Sequence, residues 1–267
     1  MDISKIEKII FYSNILRKEM QVCVYLPKNY KTSPPLPVLY FLHGRSGNEN
    51  IMFEVDIQTK ADLLIHNRNI EPLIIVCPRI ENSRGINSSF NSQDIPDSIY
   101  NERFINLGMY EDYFIHEIIP FIDNTFNTIR DRKSRFVGGA SAGGYAALHN
   151  AFRHQDLFSK VGGHMPALEL TLEKEDMPYF QDMDTWEKYD PISIARNNKI
   201  ILDLEVYLDA GDKDEGEFYK GCSILQDILK KRAINSQNHV FPGHHSIEYI
   251  KSNIEKYLEF YGKRTKE

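Results

Sequence analysis

Two uninterrupted apolar runs, Val38-Leu39-Tyr40-Phe41-Leu42 and Leu73-Ile74-Ile75-Val76-Cys77, constrain the fold more than any other feature of the chain. Successive side chains of a strand point to opposite faces, so five apolar residues in a row need cover on both. That is the setting of a mainly parallel sheet between layers of helices. Phe136-Val137, Val206-Tyr207-Leu208 and Val240-Phe241 read as shorter strands of the same kind. Val22, Val24 and Leu26 alternate instead, as on a half-buried antiparallel strand, with residues 9–12 as its hairpin partner. Helical spacings fill the gaps. Phe114, Ile118 and Ile122 predict a helix over 109–126, bent at Pro120. Phe218, Cys222, Leu225 and Leu229 share one face, and Ile247, Ile250, Ile254 and Leu258 share another. The expectation is an α/β fold: a mostly parallel central sheet with an N-terminal antiparallel hairpin and helices on both faces.

Two polar stretches break the alternation. Residues 81–106 read as a long irregular segment, and 168–198 as an acidic segment holding the sole tryptophan, Trp186. Long loops in a compact fold tend to carry function. The second is expected to form a small cap, with Trp186 and Gly44 reaching substrate. The 267 residues are expected to form a single domain, 1–267. A net charge of −6 without a basic run argues against nucleic acid as a partner. Cys23, Cys77 and Cys222 lack CxxC spacing, which argues against a disulfide framework or structural zinc. Cys77 and Cys222 read as small core residues. The first twenty residues hold no uninterrupted apolar stretch or cleavage site, and no run is long enough to span a membrane. The expected location is the cytoplasm.

Gly139-Ala140-Ser141-Ala142-Gly143 fits G-x-S-x-G, with a strand before it and an alanine-rich helical run after it. Strand, sharp turn and helix together make a nucleophile elbow. Gly139 and Gly143 leave room for the turn, and the helix N-terminus favours negative charge developing at the serine. A phosphate-binding loop needs Lys and Ser or Thr after its last glycine, and Tyr145-Ala146 stand there instead.

A serine hydroxyl needs a base, and the base an orienting acid. "FPGHHSIEYI" places His244 and His245 between the last strand and the last helix, with His245, at the helix start, the stronger candidate. Adjacent histidines rarely point at one ion, so no metal site is expected. "EVYLDAGDKDEGEF" offers Asp214 as the acid, ahead of Asp212 and Asp209, with Asp209 able to hold the loop. His43-Gly44-Arg45 ends the first long apolar run, and the backbone N–H groups of Arg45 and Ala142 are expected to face an oxyanion. His43 reads as structural. His66, His116, His149 and His154 read as surface or partly buried. His164 follows a strand and could approach the site.

The chain resembles the putative-esterase family of α/β-hydrolases, a group that includes esterase D, feruloyl and acetylxylan esterases, enterochelin esterases and mycolyltransferases. The resemblance rests on "VYLPKNY", "PVLYFLHGRSG", "MYEDYFIHEIIPFID", "GGASAGGYAAL", "HQDLFSKVGG", "LDAGDKDE" and "PGHHS", in the family's order over most of the chain. It implies the α/β-hydrolase fold, Ser141 as nucleophile, His245 as base, Asp214 as acid and no cofactor. The chain departs from the family's habit at Ala142, where methionine is common, and at Ile247, where an aromatic is. The implied function is a serine esterase acting on a small or carbohydrate-linked acyl ester of acetyl or feruloyl type. The alternatives are a siderophore esterase, an S-formylglutathione-type thioesterase and a non-catalytic binding protein.

Overall fold

The computed structural model describes residues 3–98, 103–197 and 203–263. Both long apolar runs are strands at the middle of an eight-stranded sheet. In chain order the strands are β1 (Lys5–Ser13), β2 (Lys18–Leu26), β3 (Val38–Leu42), β4 (Ile74–Pro78), β5 (Gln93–Pro96), β6 (Phe104–Leu107), β7 (Arg135–Ala140), β8 (Lys160–His164), β9 (Glu205–Gly211) and β10 (Ser236–Phe241). The main sheet runs β1-β2-β4-β3-β7-β8-β9-β10. The six strands from β4 to β10 are mutually parallel, while β2 joins β4 antiparallel and carries β1 as its hairpin partner.

The sheet separates two hydrophobic cores, which explains the continuous runs. Val38, Tyr40 and Leu42 face one core with Ile74 and Val76. Leu39 and Phe41 face the other with Ile75 and Cys77. The first core is roofed by helices Ala142–Arg153 and Phe218–Lys231, the second by helices Ile57–His66 and Ile247–Gly262. Cys23, Cys77 and Cys222 are buried free thiols. Among the described residues no helix is long and apolar enough to cross a membrane.

Several readings are corrected. The helix over 109–126 does not simply bend at Pro120. It is α-helical at Tyr110–Asp112, π-wound over Tyr113–Ile118 and α-helical again over Ile119–Thr125. Ile119 N–H bonds to Phe114, five residues back, a wider turn that keeps Phe114, Ile118 and Ile122 on one buried face. Residues 81–106 are not wholly irregular, since β5 and β6 pair as an antiparallel ribbon. Residues 168–197 fold into short helices, Met177–Phe180, Met183–Tyr189 and Pro191–Asn197, and Asn198, the end of the expected cap, lies outside the described residues. Trp186 on the second of these helices is buried in the first core and does not line the cleft described below. An indole this large is better accommodated by burial against apolar neighbours than at a wet rim.

His149 is fully buried rather than a surface residue. Its Nε2 meets Glu111 at 3.1 Å, and Glu111 also accepts bonds from Arg153 Nε (2.9 Å) and His154 Nε2 (2.8 Å). Burial alone raises the Glu111 pKa, but the hydrogen bonds from the two histidines and the arginine outweigh it and hold the carboxyl well below the usual range. The stability this contributes is present above the unfolded carboxylate pKa and is lost as pH falls through the lower folded value. Glu111→Ala leaves the buried His149 without its partner, while Arg153 and His154 can turn to solvent, so unfolding followed by denaturant at pH 7 should show a loss of about 2 kcal/mol.

Candidate active site

Ser141 stands between β7 and the helix Ala142–Arg153 at φ 54°, ψ −118°. A non-glycine residue there is strained, by about 1–3 kcal/mol, and persists only where the surroundings over-determine it. They do. Ser141 N–H donates to the His164 carbonyl (3.0 Å), and the Ser141 carbonyl accepts from Tyr145 N–H (3.0 Å) and Ala167 N–H (3.1 Å). The flanking glycines have a steric cause. A Cβ on Gly139 would lie 2.5 Å from the Gly143 carbonyl oxygen, and one on Gly143 would run into the carbonyl oxygens of Leu42 and His43.

The loops after β9 and β10 bring two further side chains to the serine. His245 Nε2 lies 2.8 Å from Ser141 Oγ, and His245 Nδ1 lies 2.9 Å from Asp214 Oδ2. The neutral ring that fits donates Nδ1–H to the carboxylate and accepts the serine O–H at Nε2. Asp214 is buried, and its Oδ1 accepts Gly216 N–H (2.9 Å). The other candidates do different work. Asp212 Oδ1 accepts Gly243 N–H (2.9 Å) and so ties the two loops together. His244 turns outward onto Glu215 (2.7 Å), diverging from its neighbour. Glu215, which the sequence reading passed over, also accepts the His245 backbone N–H (3.0 Å). The hydrogen bonds from His245 N–H and the His244 ring push its carboxyl down to about 2.

Asp209 and His164 belong to the core beneath the elbow. His164 Nδ1 meets Asp209 Oδ1 at 3.0 Å, and its Nε2 meets Tyr261 Oη at 3.0 Å. Tyr249 and Tyr257 donate their hydroxyls to Asp209 Oδ2 at 2.7 and 2.8 Å. Burial lowers the His164 pKa, so the ring is neutral, and every polar atom of this cluster finds a partner. His164 therefore reaches the serine through its backbone carbonyl and not through its ring.

The serine opens into a cleft of about 980 Å³ whose walls include Gly44, Arg45, Ala142, Met165, Phe218 and Ile247. Ala142 opens its helix, so its N–H is one of the donors without an intrahelical partner. His43 is buried and holds the loop. Its Nδ1 donates to the Gly44 carbonyl (2.8 Å) and its Nε2 accepts Ile80 N–H (3.0 Å), while burial pushes its pKa down to about 4. The Arg45 guanidinium is engaged by Glu175 (2.9 Å) and Asp176 (3.1 Å). Ile247, expected on the buried face of the last helix, sits at its first turn and faces the cleft, whereas Ile250, Ile254 and Leu258 are buried. The edge of the Phe218 ring lies against His245, centroids 5.1 Å apart.

Comparison with known proteins bears on the fold and the family. The feruloyl esterase and endo-1,4-β-xylanase of Xylanibacter ruminicola is 29% identical over 166 residues, 59% of this chain, and the match spans about a fifth of that protein's length (21%). Among solved structures, a ferulic acid esterase superposes with TM-score 0.82 at 20% identity, over 97% of this chain and 98% of its own. The S-formylglutathione hydrolase of Agrobacterium tumefaciens superposes with TM-score 0.76 at 18% identity, over 98% and 95%. The fluorophosphonate-binding serine hydrolase F of Staphylococcus aureus superposes with TM-score 0.77 at 19% identity, over 98% and 100%. These likenesses show an α/β-hydrolase fold. A family model described as "Putative esterase" matches residues 13–260, and the chain accordingly belongs to that family.

Proposed function

We propose that the protein is a serine esterase working through Ser141, His245 and Asp214, with residues 168–197 as the cap wall of one catalytic domain. The observation that carries this reading is the continuous chain from Ser141 Oγ to His245 Nε2 and from His245 Nδ1 to Asp214 inside the cleft. Ser141 Oγ attacks the ester carbonyl while its proton passes to His245 Nε2, and Asp214 holds the imidazolium by its Nδ1–H. The carbonyl oxygen, now negative, is met by the N–H groups of Arg45 and Ala142. Collapse of the tetrahedral intermediate breaks the ester C–O bond, and the alcohol leaves with the proton from Nε2. Water then repeats the sequence on the acyl-enzyme, giving its proton to His245 and releasing the acid.

The substrate we favour is an uncharged acetyl or feruloyl ester of a sugar. Met165, Phe218 and Ile247 give the cleft an apolar wall for the acyl group. Glu54, Glu169, Glu175 and Glu215 against Arg45 and Arg84 make the same cleft net acidic, which opposes an anionic leaving group such as glutathione. Specificity is a ratio of kcat/KM values. Compared side by side, methyl ferulate or p-nitrophenyl acetate should exceed S-formylglutathione by at least about tenfold in that ratio. The reverse order overturns the substrate assignment and leaves the hydrolase assignment standing. Failure of the wild-type protein to hydrolyse any of them, or to take a fluorophosphonate label, overturns both.

A further inference from the structure

The cap is joined to the loop after β3 by part-buried ion pairs from Arg45, and to the 81–106 segment by a buried one from Arg84, none of which the mechanism above uses. Asp176, only 1% exposed, stands between two arginines. Its Oδ1 accepts Arg45 Nη2 at 3.1 Å, and its Oδ2 accepts Arg84 Nη2 in a short ion pair. Arg84, itself 3% exposed, is clamped on its far side by Glu169 (2.8 and 3.2 Å) and donates to the Ala167 carbonyl (3.3 Å). Ala167 N–H is bonded to the carbonyl of Ser141. A second tie runs in parallel. Tyr179 of the cap donates its hydroxyl to the Asn82 carbonyl (2.6 Å), and Asn82 Oδ1 accepts the backbone N–H of Ser46 (2.6 Å). The loop carrying the Arg45 N–H is thus held by its own side chain and by its next residue, both from the cap side.

We propose that Asp176 is a positioning residue for the oxyanion hole, acting through the Arg45 side chain to fix the Arg45 backbone N–H. The inference rests on the esterase reading, since it assigns that N–H to the transition state. Two guanidiniums sharing one buried carboxylate form a stiff fork, because Arg donates in a fixed plane and Asp176 and Arg84 are shut off from water. An oxyanion donor acts on the charge that develops in the transition state, so its displacement lowers kcat and leaves KM alone. A cap that served only to enclose substrate would show the opposite split.

The test is a double-mutant cycle between Asp176→Asn and Arg45→Met, measured on p-nitrophenyl acetate. Arg45→Met removes the guanidinium and keeps the amide. Each single variant should lower kcat by roughly ten- to a hundredfold with KM within twofold, less than the hundred- to thousandfold that follows complete loss of such a donor. The double variant should lose no more than the worse single. A boronic acid or trifluoromethyl ketone that captures the tetrahedral geometry should weaken by the same factor as kcat. Glu111→Gln, destabilising but remote from the cleft, should leave kcat unchanged below its unfolding transition and separates positioning from loss of stability. Unchanged kcat in either folded single variant, multiplying losses in the double, or an effect confined to KM overturns the proposal. Should Asp176→Asn fail to fold, Arg45→Met decides alone, because its side chain is 19% exposed and its loss strands less. A wild-type protein that neither labels nor hydrolyses takes this inference down with the esterase reading. An active wild type with indifferent variants removes this inference only.

Discussion

Ser141→Ala should abolish fluorophosphonate labelling and lower kcat by a factor on the order of 10⁶, the scale seen when a serine hydrolase loses its nucleophile. Stability should change little. The strained φ 54°, ψ −118° belongs to the turn and not to the hydroxyl, and the three backbone hydrogen bonds around the residue remain. Intact mass spectrometry after labelling, together with the Tm, reads both outcomes. A label that persists on the alanine variant places the nucleophile elsewhere in the chain.

The acid gives the second large effect. An amide at position 214 can turn its NH₂ towards His245 Nδ1, which stabilises the wrong tautomer and leaves Nε2 unable to take the serine proton. Asp214→Asn should therefore cost about 10⁴ in kcat with KM nearly unchanged. Asp212→Asn should cost less than about tenfold, because the amide keeps the oxygen that accepts Gly243 N–H and touches neither His245 nor the serine. Steady-state kinetics of the two variants on one ester decide between them. The reverse order of effects reassigns the acid.

The three side chains that meet in the cleft were legible for one reason: each stands just beyond the end of a parallel strand. Strand ends can be located from apolar runs and turn glycines. Choosing Asp214 over Asp209 needed the strand length as well, since Asp209 lies within β9 and is swallowed by the core. What escaped notice depends on pairings between distant segments. Arg84 and Asp176 are 92 positions apart in stretches without periodicity, and nothing local distinguishes them from surface charges. Glu215 looked like one more acid in an acidic turn. Trp186 was misplaced because a polar segment hides its few apolar residues until helices gather them against the core. The π-wound turn likewise reflects a choice between two hydrogen-bond partners, which spacing does not record.

The cluster under the elbow and the loops above it divide the site by resilience. Ser141 is fastened to β8, whose final residue bonds to Asp209 and Tyr261, with Tyr249 and Tyr257 donating to the same Asp209 in a buried knot. The loop that carries His245 is fastened by Glu215 and by the Asp212–Gly243 bond, both at the solvent edge, and only the His245 ring reaches the buried Asp214. Local opening proceeds from exposed hydrogen bonds inward. Ser141 is thus expected to sit in the last part of the molecule to open and His245 in one of the first. On the proposed mechanism, activity is therefore expected to fail on heating at the wet hydrogen bonds around His245 before the sheet beneath gives way.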